Sequence, residues 1–505
     1  MKFGARGGVL RCWALLVAVG LLGTTSAAGE AIDLYVDPAT GQVFVSPGEG
    51  RTKLGTFQRV DEPAPEKSPE SADAEPSPGE VPAPVVAAPP AAAPAPVVAV
   101  PPAGAAPPPA AADAGDPAIF AAVGSVLKGK WYERLTLRGY TQFRYHALIE
   151  KDGPGEWFAP ADRSVAEDTT FLIRRGRLIL SGDVTDRLYV YVQPDMMASP
   201  GDGDFSLQMR DLYADVAIDQ DKEFRVRVGQ SKVPFGFVNL QSSQNRIALE
   251  RPDSLNSAVE GERDIGAYLF WAPVELRDRF RDLVRRGLKG SGDYGVLAVG
   301  VYSGQGLNRL DLNDNVHWIA RLTYPFLLPG GQLIEPGVQG YWGKFVPRLR
   351  EIPVSGDETI TPDSPKNGVD DWRVGLSFVV YPQPFGVEAE WNLGDGPTLE
   401  RDYSVIRSKF LHGGYLQSSY KLEFDYGDLF PMVRWQYYDG GRKFARNAPR
   451  VRTNEIDMGF EWAPIPEVEL ATIYTYSFFR TDSSDAPYEE FEDASRVGMQ
   501  LQWNY

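Results

Sequence analysis

The chain has 505 residues, of which 43% are hydrophobic and 12% aromatic, and carries a formal net charge of −17. A mean hydropathy of −0.28 excludes a helical membrane bundle, and so acidic a balance offers no electrostatic footprint for nucleic acid. What remains is several soluble domains or one large β-rich body with appendages.

At the N-terminus, Lys2, Arg6 and Arg11 precede an apolar core from Trp13 to Leu22 and the small residues Ser26-Ala27-Ala28. This order predicts a signal peptide over residues 1–28, its apolar core being too short to span a bilayer. The single cysteine, Cys12, lies inside it, so the mature chain has no thiol chemistry. Cleavage takes the formal charge from −17 to −20 by removing three basic residues and no acidic one. Residues 32–45 predict two short strands about a Pro38-Ala-Thr-Gly41 turn, within a short β-hairpin element over 29–60. A Pro/Ala-rich stretch follows over 61–116, and Val81 to Ala112 contains only Val, Pro, Ala and Gly104. Recurrent proline forbids a helix there, so the run reads as an extended linker of roughly 100 Å.

From 117 onward the pattern changes to a period of two. In the first run Leu135, Leu137, Gly139, Thr141, Phe143 and Tyr145 alternate with Thr136, Arg138, Tyr140, Gln142 and Arg144. Further strands are predicted at 170–184, 187–196, 206–218, 223–232, 263–272, 293–303, 315–326, 332–345, 371–382, 385–393, 410–422, 428–440, 453–463 and 466–479. The last, 495–505, alternates without error: Val497, Met499, Leu501, Trp503 and Tyr505 on one face, Arg496, Gly498, Gln500 and Gln502 on the other. One face in an apolar medium and one in water, repeated sixteen times with alternately long and short connections, is the signature of a closed antiparallel transmembrane β-barrel. Short turns then face the periplasm, both chain ends lie on that side, and the final strand pairs with the first. One connection breaks the rhythm. In 273–292, Leu276, Phe280, Leu283 and Val284 share a helical face, which predicts an amphipathic helix forming a solvated cap in a periplasmic turn.

Motifs for catalysis are missing. His146, His317 and His412 are scattered, and there is no nucleophile elbow, phosphate loop or metal-like spacing, so neither a catalytic residue, a metal nor a cofactor is predicted. The informative polar residues are basic ones on the inward faces: Arg134, Arg138 and Arg144, Arg175 and Arg177, Arg225 and Arg227, Arg321 and Arg434. Arginine on the lipid face near midplane costs about 2–4 kcal/mol, so these line a lumen and offer a path to anions. The competing reading is that each pairs with an inward acid such as Asp211, Asp215, Glu335, Asp457 or Glu461.

Several local sequences resemble the phosphate-selective porin O/P family. The first is Gly229-Gln-Ser-Lys-Val-Pro-Phe-Gly236, followed by Leu240-Gln-Ser-Ser243, Glu250-Arg251 and Arg263-Asp-Ile-Gly266; Arg174-Arg-Gly-Arg177, Arg210-Asp-Leu-Tyr213 and Arg434-Trp-Gln-Tyr-Tyr-Asp-Gly440 add to it. The resemblance implies a homotrimer of sixteen-stranded barrels with the third loop folded inward as a constriction. That loop is 233–262 here, with Lys232 at its entrance, Arg251 and Arg263 as lining residues, and Glu250, Glu260 and Glu262 among them. The expectation is a porin of the bacterial outer membrane, in contact with its lipid, passing small anions (phosphate among them) or small polar solutes. The alternative is a structural protein tethering the membrane to the cell wall through an N-terminal extension in the periplasm.

Overall fold

The computed structural model describes residues 32–36, 43–44, 52–57, 131–152, 158–159, 162–166, 170–198, 205–355, 358–482 and 489–505. The expected signal peptide and Pro/Ala linker lie outside them. The chain divides into two compact units, 1–110 and 111–505. In the first, Ile32–Val36 pairs with Val43–Phe44 and also with Thr52–Phe57 on its other edge. The result is a three-stranded antiparallel sheet, one strand more than the turn signal alone discloses.

The second unit is a closed antiparallel barrel of sixteen strands. They are β1 Leu135–Asp152, β2 Phe171–Asp183, β3 Leu188–Ala198, β4 Phe205–Ala217, β5 Phe224–Lys232, β6 Arg263–Trp271, β7 Leu297–Tyr302 and β8 His317–Thr323, continued by Phe326–Leu327. The second half comprises β9 Leu333–Phe345, β10 Val369–Val380, β11 Phe385–Leu399, β12 Ile406–Tyr420, continued by Leu422–Phe424, β13 Gly427–Gly441, β14 Arg450–Ile465, β15 Val468–Asp482 and β16 Glu489–Asn504. Each strand pairs with its neighbours in sequence, and β16 closes on β1 with Leu501 opposite Phe143 and Gln500 opposite Arg144. The mutual backbone bonds of Gly139 and Tyr505, at 2.6 and 2.9 Å, complete the seam.

Alternation sorts the side chains as the period of two requires. On β16, Arg496, Gly498, Gln500 and Gln502 are buried while Leu501, Trp503 and Tyr505 are exposed. Outward aromatics collect at both rims: Trp318, Trp342 and Trp372 are cross-strand partners near the long-loop end, and Phe326, Phe385, Tyr420, Trp503 and Tyr505 lie toward the other. Such paired girdles mark the two membrane–water boundaries. The inward face is less uniformly polar than strand alternation suggests. Tyr268, Phe270, Ala298, Tyr302, Ile319 and Tyr341 project inward from β6–β9 and form one apolar cluster with residues of the loop 233–262.

Leu376 faces lipid in the middle of β10 and is 62% exposed. Leu376→Arg is expected to lower the stability of the barrel in lipid vesicles by about 2–4 kcal/mol, read from denaturant unfolding.

Candidate functional site: the lumen and its inward loop

The loop 233–262 leaves β5, crosses the lumen and returns to β6. Its entry depends on two glycines of the Gly229–Gly236 motif. Gly229 has φ +123°, and a Cβ there would lie 2.3 Å from the Leu212 carbonyl oxygen; Gly236 has φ +84° and lies against Leu255. Both are conformations that a side chain strains. The loop then forms two single-turn helices, α1 Phe237–Leu240 and α2 Asp253–Asn256.

The barrel wall holds the loop by its backbone. Glu390 on β11 accepts hydrogen bonds from the Phe237 and Val238 N–H groups at 2.7 and 2.8 Å, satisfying the first turn of α1. Arg373 on β10 donates to the carbonyls of Ser254 and Ser257, each at 3.0 Å, and Asn392 donates to Ser254 O at 3.2 Å. Arg434 on β13 reaches Glu250 O at 2.6 Å, and Arg144 on β1 reaches Leu249 O at 2.8 Å. At the tip, Ile247 and Ala248 pack on Phe430, Met432 and Ile473. The loop is thus docked on walls remote from its own strands.

Most of the expected basic residues are engaged with carboxylates. Arg144 and Arg175 reach Glu250 at 2.6 and 3.3 Å, Arg177 reaches Asp195 at 2.7 Å, and Arg225 reaches Asp293 at 2.7 Å. Arg227 binds Asp215 at 2.7 Å and lies 3.8 Å over the Tyr213 ring. Arg321 pairs with Glu335 at 3.2 Å and Arg434 with Asp457 at 2.8 Å. Arg251 and Arg263 share Glu262, and Arg263 also binds Asp211 at 3.0 Å. Lys232 donates to the carbonyls of Leu240 and Gln241 at 2.8 and 2.9 Å. Arg138 is exposed at the short-turn end of β1. Arg134 stands apart, in the turn Trp131–Arg134 that precedes β1, paired with Asp186 at 3.1 Å.

Strict alternation missed two lumen arginines. The β1–β2 register shifts between Gln142 and Phe143, and the β3–β4 register between Gln193 and Pro194. Each shift is a bulge in which one residue, Arg174 or Arg210, is extra and turns inward beside its neighbour. Arg174 joins Glu250 at 3.1 Å, and Arg210 joins Glu262 at 3.3 Å. A cavity of about 270 Å³ remains above the loop, lined by Arg174, Arg175, Arg177, Arg210, Arg442, Asp195, Glu250, Asp253, Glu260, Glu262 and Phe444 among others. Five guanidinium groups thus face five carboxylates.

Sequence reading also passed over Arg246. It is buried to 6% exposure, and its Nε and Nη1 have no hydrogen-bond partner among the described residues. Its Nη2 lies 3.4 Å from Leu249 O, and no carboxylate pairs with it among the described residues. A buried donor pair left open in this way calls for water or an anion.

A family-level comparison matches residues 156–505 to phosphate-selective porin O and P. The chain belongs to that family. As a member it is an outer-membrane channel for small solutes. A search of the curated proteins finds none that matches it. Among solved structures it is similar to the outer membrane channel DcaP of Acinetobacter baumannii, at 14% identity and a TM-score of 0.43, covering 74% of this chain and 97% of that one. It is similar also to the trimer form of OmpT of Vibrio cholerae, at 10% identity and a TM-score of 0.44, covering 74% and 99%. An anion-selective porin from Comamonas acidovorans matches at 10% identity and a TM-score of 0.41, covering 74% and 99%.

Burial raises the pKa of Glu250, but Arg174, Arg175 and Arg144 more than offset it and hold the carboxyl well below its usual value. Glu262 is likewise held low, burial being outweighed by Arg251, Arg263 and Arg210. A pKa lower in the folded state contributes stability above the unfolded value of about 4.3, and that stability is lost as pH falls through the folded values. Loop 233–262 in this porin should therefore resist limited proteolysis at neutral pH and become cleavable only below about pH 4.

Proposed function

We propose that this porin conducts small anions and small polar solutes by passive diffusion, with a weak preference for anions. The observation that supports it is Arg246, a buried loop guanidinium with two open donors and no carboxylate partner among the described residues. Lys232 donates to the Leu240 and Gln241 carbonyls at the base of the loop. Elsewhere along the lumen the arginines are largely neutralised by ion pairs, which favours weak and successive contacts over one tight phosphate site. Binding weak enough to release the solute is what conduction requires.

A reversal potential measured in a salt gradient across a planar bilayer tests this reading. A modest shift toward the anion potential is expected, and a cation preference would overturn the anion part while leaving a general porin. Arg246→Gln should abolish the preference. Glu250→Gln should raise it, by removing the negative charge that Arg144, Arg174 and Arg175 share.

The proposed assembly is the homotrimer that the family resemblance implies, with the N-terminal extension in the periplasm. A second, compatible reading is attachment to the cell wall through the N-terminal extension, motivated by the roughly 100 Å reach of the Pro/Ala-rich stretch in the sequence. The full chain should co-sediment with purified cell wall and a chain lacking residues 29–116 should not. Equal sedimentation of the two would remove the tether.

A further inference from the structure

The connection between β6 and β7 is the long exception at an end where the other turns are short. Short turns face the periplasm in outer-membrane barrels. It carries the helix α3, Val274–Arg285, whose buried residues are Leu276, Phe280 and Leu283. Those side chains are not on a solvated cap. With Leu288 they join a cluster that contains Leu333 of β9, Val379 of β10, Tyr381 and, from the inward loop, Phe237. The amphipathic face therefore turns into the barrel mouth, because that is where apolar partners lie.

Beyond the helix the segment continues across the mouth. Lys289 forms an ion pair with Glu461 on β14, and its ammonium lies 4.6 Å from the centre of the Phe430 ring on β13. In a barrel of sixteen, β14 is seven strands from β7 and eight from β6, which places it on the opposite wall. The Lys289 carbonyl accepts a 2.7 Å hydrogen bond from Gln241 of the inward loop, so the two inward segments touch. Lys289 is also a non-glycine residue at φ +63°, a backbone state that persists only where its surroundings over-determine it. Burial lowers the pKa of its ammonium, but Glu461 and Glu469 more than reverse this and hold it above the usual lysine value. On the near side, Asp293 receives Arg277 at 3.1 Å and Arg225 at 2.7 Å, anchoring the segment to β5.

We propose that the segment 274–296 is a second constriction of the conduit, spanning its periplasmic mouth, with the Lys289–Glu461 pair as the latch on the far wall. This deepens the channel reading above and rests on it. A solute that has passed the inward loop and Arg246 then meets a level where Lys289 stands among the carboxylates of Glu461, Glu469 and Asp428. Exit and entry are thus filtered by different charges.

Two measurements on the full chain test this. In a background with Cys12→Ser, the pair Lys289→Cys and Glu461→Cys should be joined in isolated outer membranes by a bifunctional thiol crosslinker that spans the length of the ion pair it replaces. Separately, replacing 275–291 by a short Gly/Ser turn should raise single-channel conductance about two-fold or more, because a series resistance has been removed. Heat-modifiable migration on gels confirms that the shortened chain folds as a barrel. Absence of that crosslink in the folded double-cysteine chain would overturn the bridging position. Unchanged conductance in the folded, shortened chain would overturn the constriction. No current from either chain would overturn the channel reading and the constriction with it, leaving the crosslink as a record of position alone.

Discussion

In the hydrocarbon layer a backbone N–H or C=O without a partner costs several kcal/mol, because no water is present to satisfy it. A sheet in lipid can therefore have no free edge. The pairing of β16 with β1, completed by the reciprocal backbone bonds of Gly139 and Tyr505, is where this chain removes its last one. Everything else follows from that closure. Sixteen strands enclose a lumen too wide for wall side chains to fill, and the two inward segments occupy it.

Filling a lumen with loop backbone creates a second form of the same constraint. The buried N–H and C=O groups of 233–262 must be satisfied by wall side chains, and Glu390, Arg373, Asn392, Arg434 and Arg144 supply the partners. An arginine that holds a carbonyl of the loop serves structure as well as any solute. Buried charge must also be compensated, since an isolated ion in a low dielectric is far more costly than a pair. Glu250 and Glu262 collect several guanidinium groups each for this reason, and Glu262 accepts a φ of +63° to do so. What remains uncompensated, Arg246 above all, is small against what is paired, and the proposed selectivity lives in that remainder.

Much of this was legible beforehand. The period of two located the strands, although β1, β11 and β16 run six or seven residues past it at their long-loop ends, and the long–short rhythm of connections gave the barrel. The loop 233–262 was identified by the residues around Gly229–Gly236, and its glycines now have a backbone reason. Pairing of inward arginines with Asp211, Asp215, Glu335 and Asp457 was one of two readings that residue types alone left open. Arg174 and Arg210 were not legible, because a bulge inverts facing locally and carries no compositional mark. The apolar inward face of β6–β9 was also hidden: Tyr268 and Tyr302 alternate correctly, yet alternation cannot say that a loop will cover them.

The sequence by itself determined strand placement, facing away from the bulges, and the family, since these depend on local periodicity and on short motifs read along the chain. Only the tertiary structure decided which charges neutralise one another and where the inward segments dock. Those outcomes depend on side chains brought together from opposite walls, Lys289 with Glu461 and Arg434 with the Glu250 backbone, at separations that no local pattern encodes. The helix over 274–285 shows the difference in one element. Its amphipathic face was visible in the spacing of Leu276, Phe280 and Leu283, but that the face turns into the barrel was decided by the apolar surface waiting there.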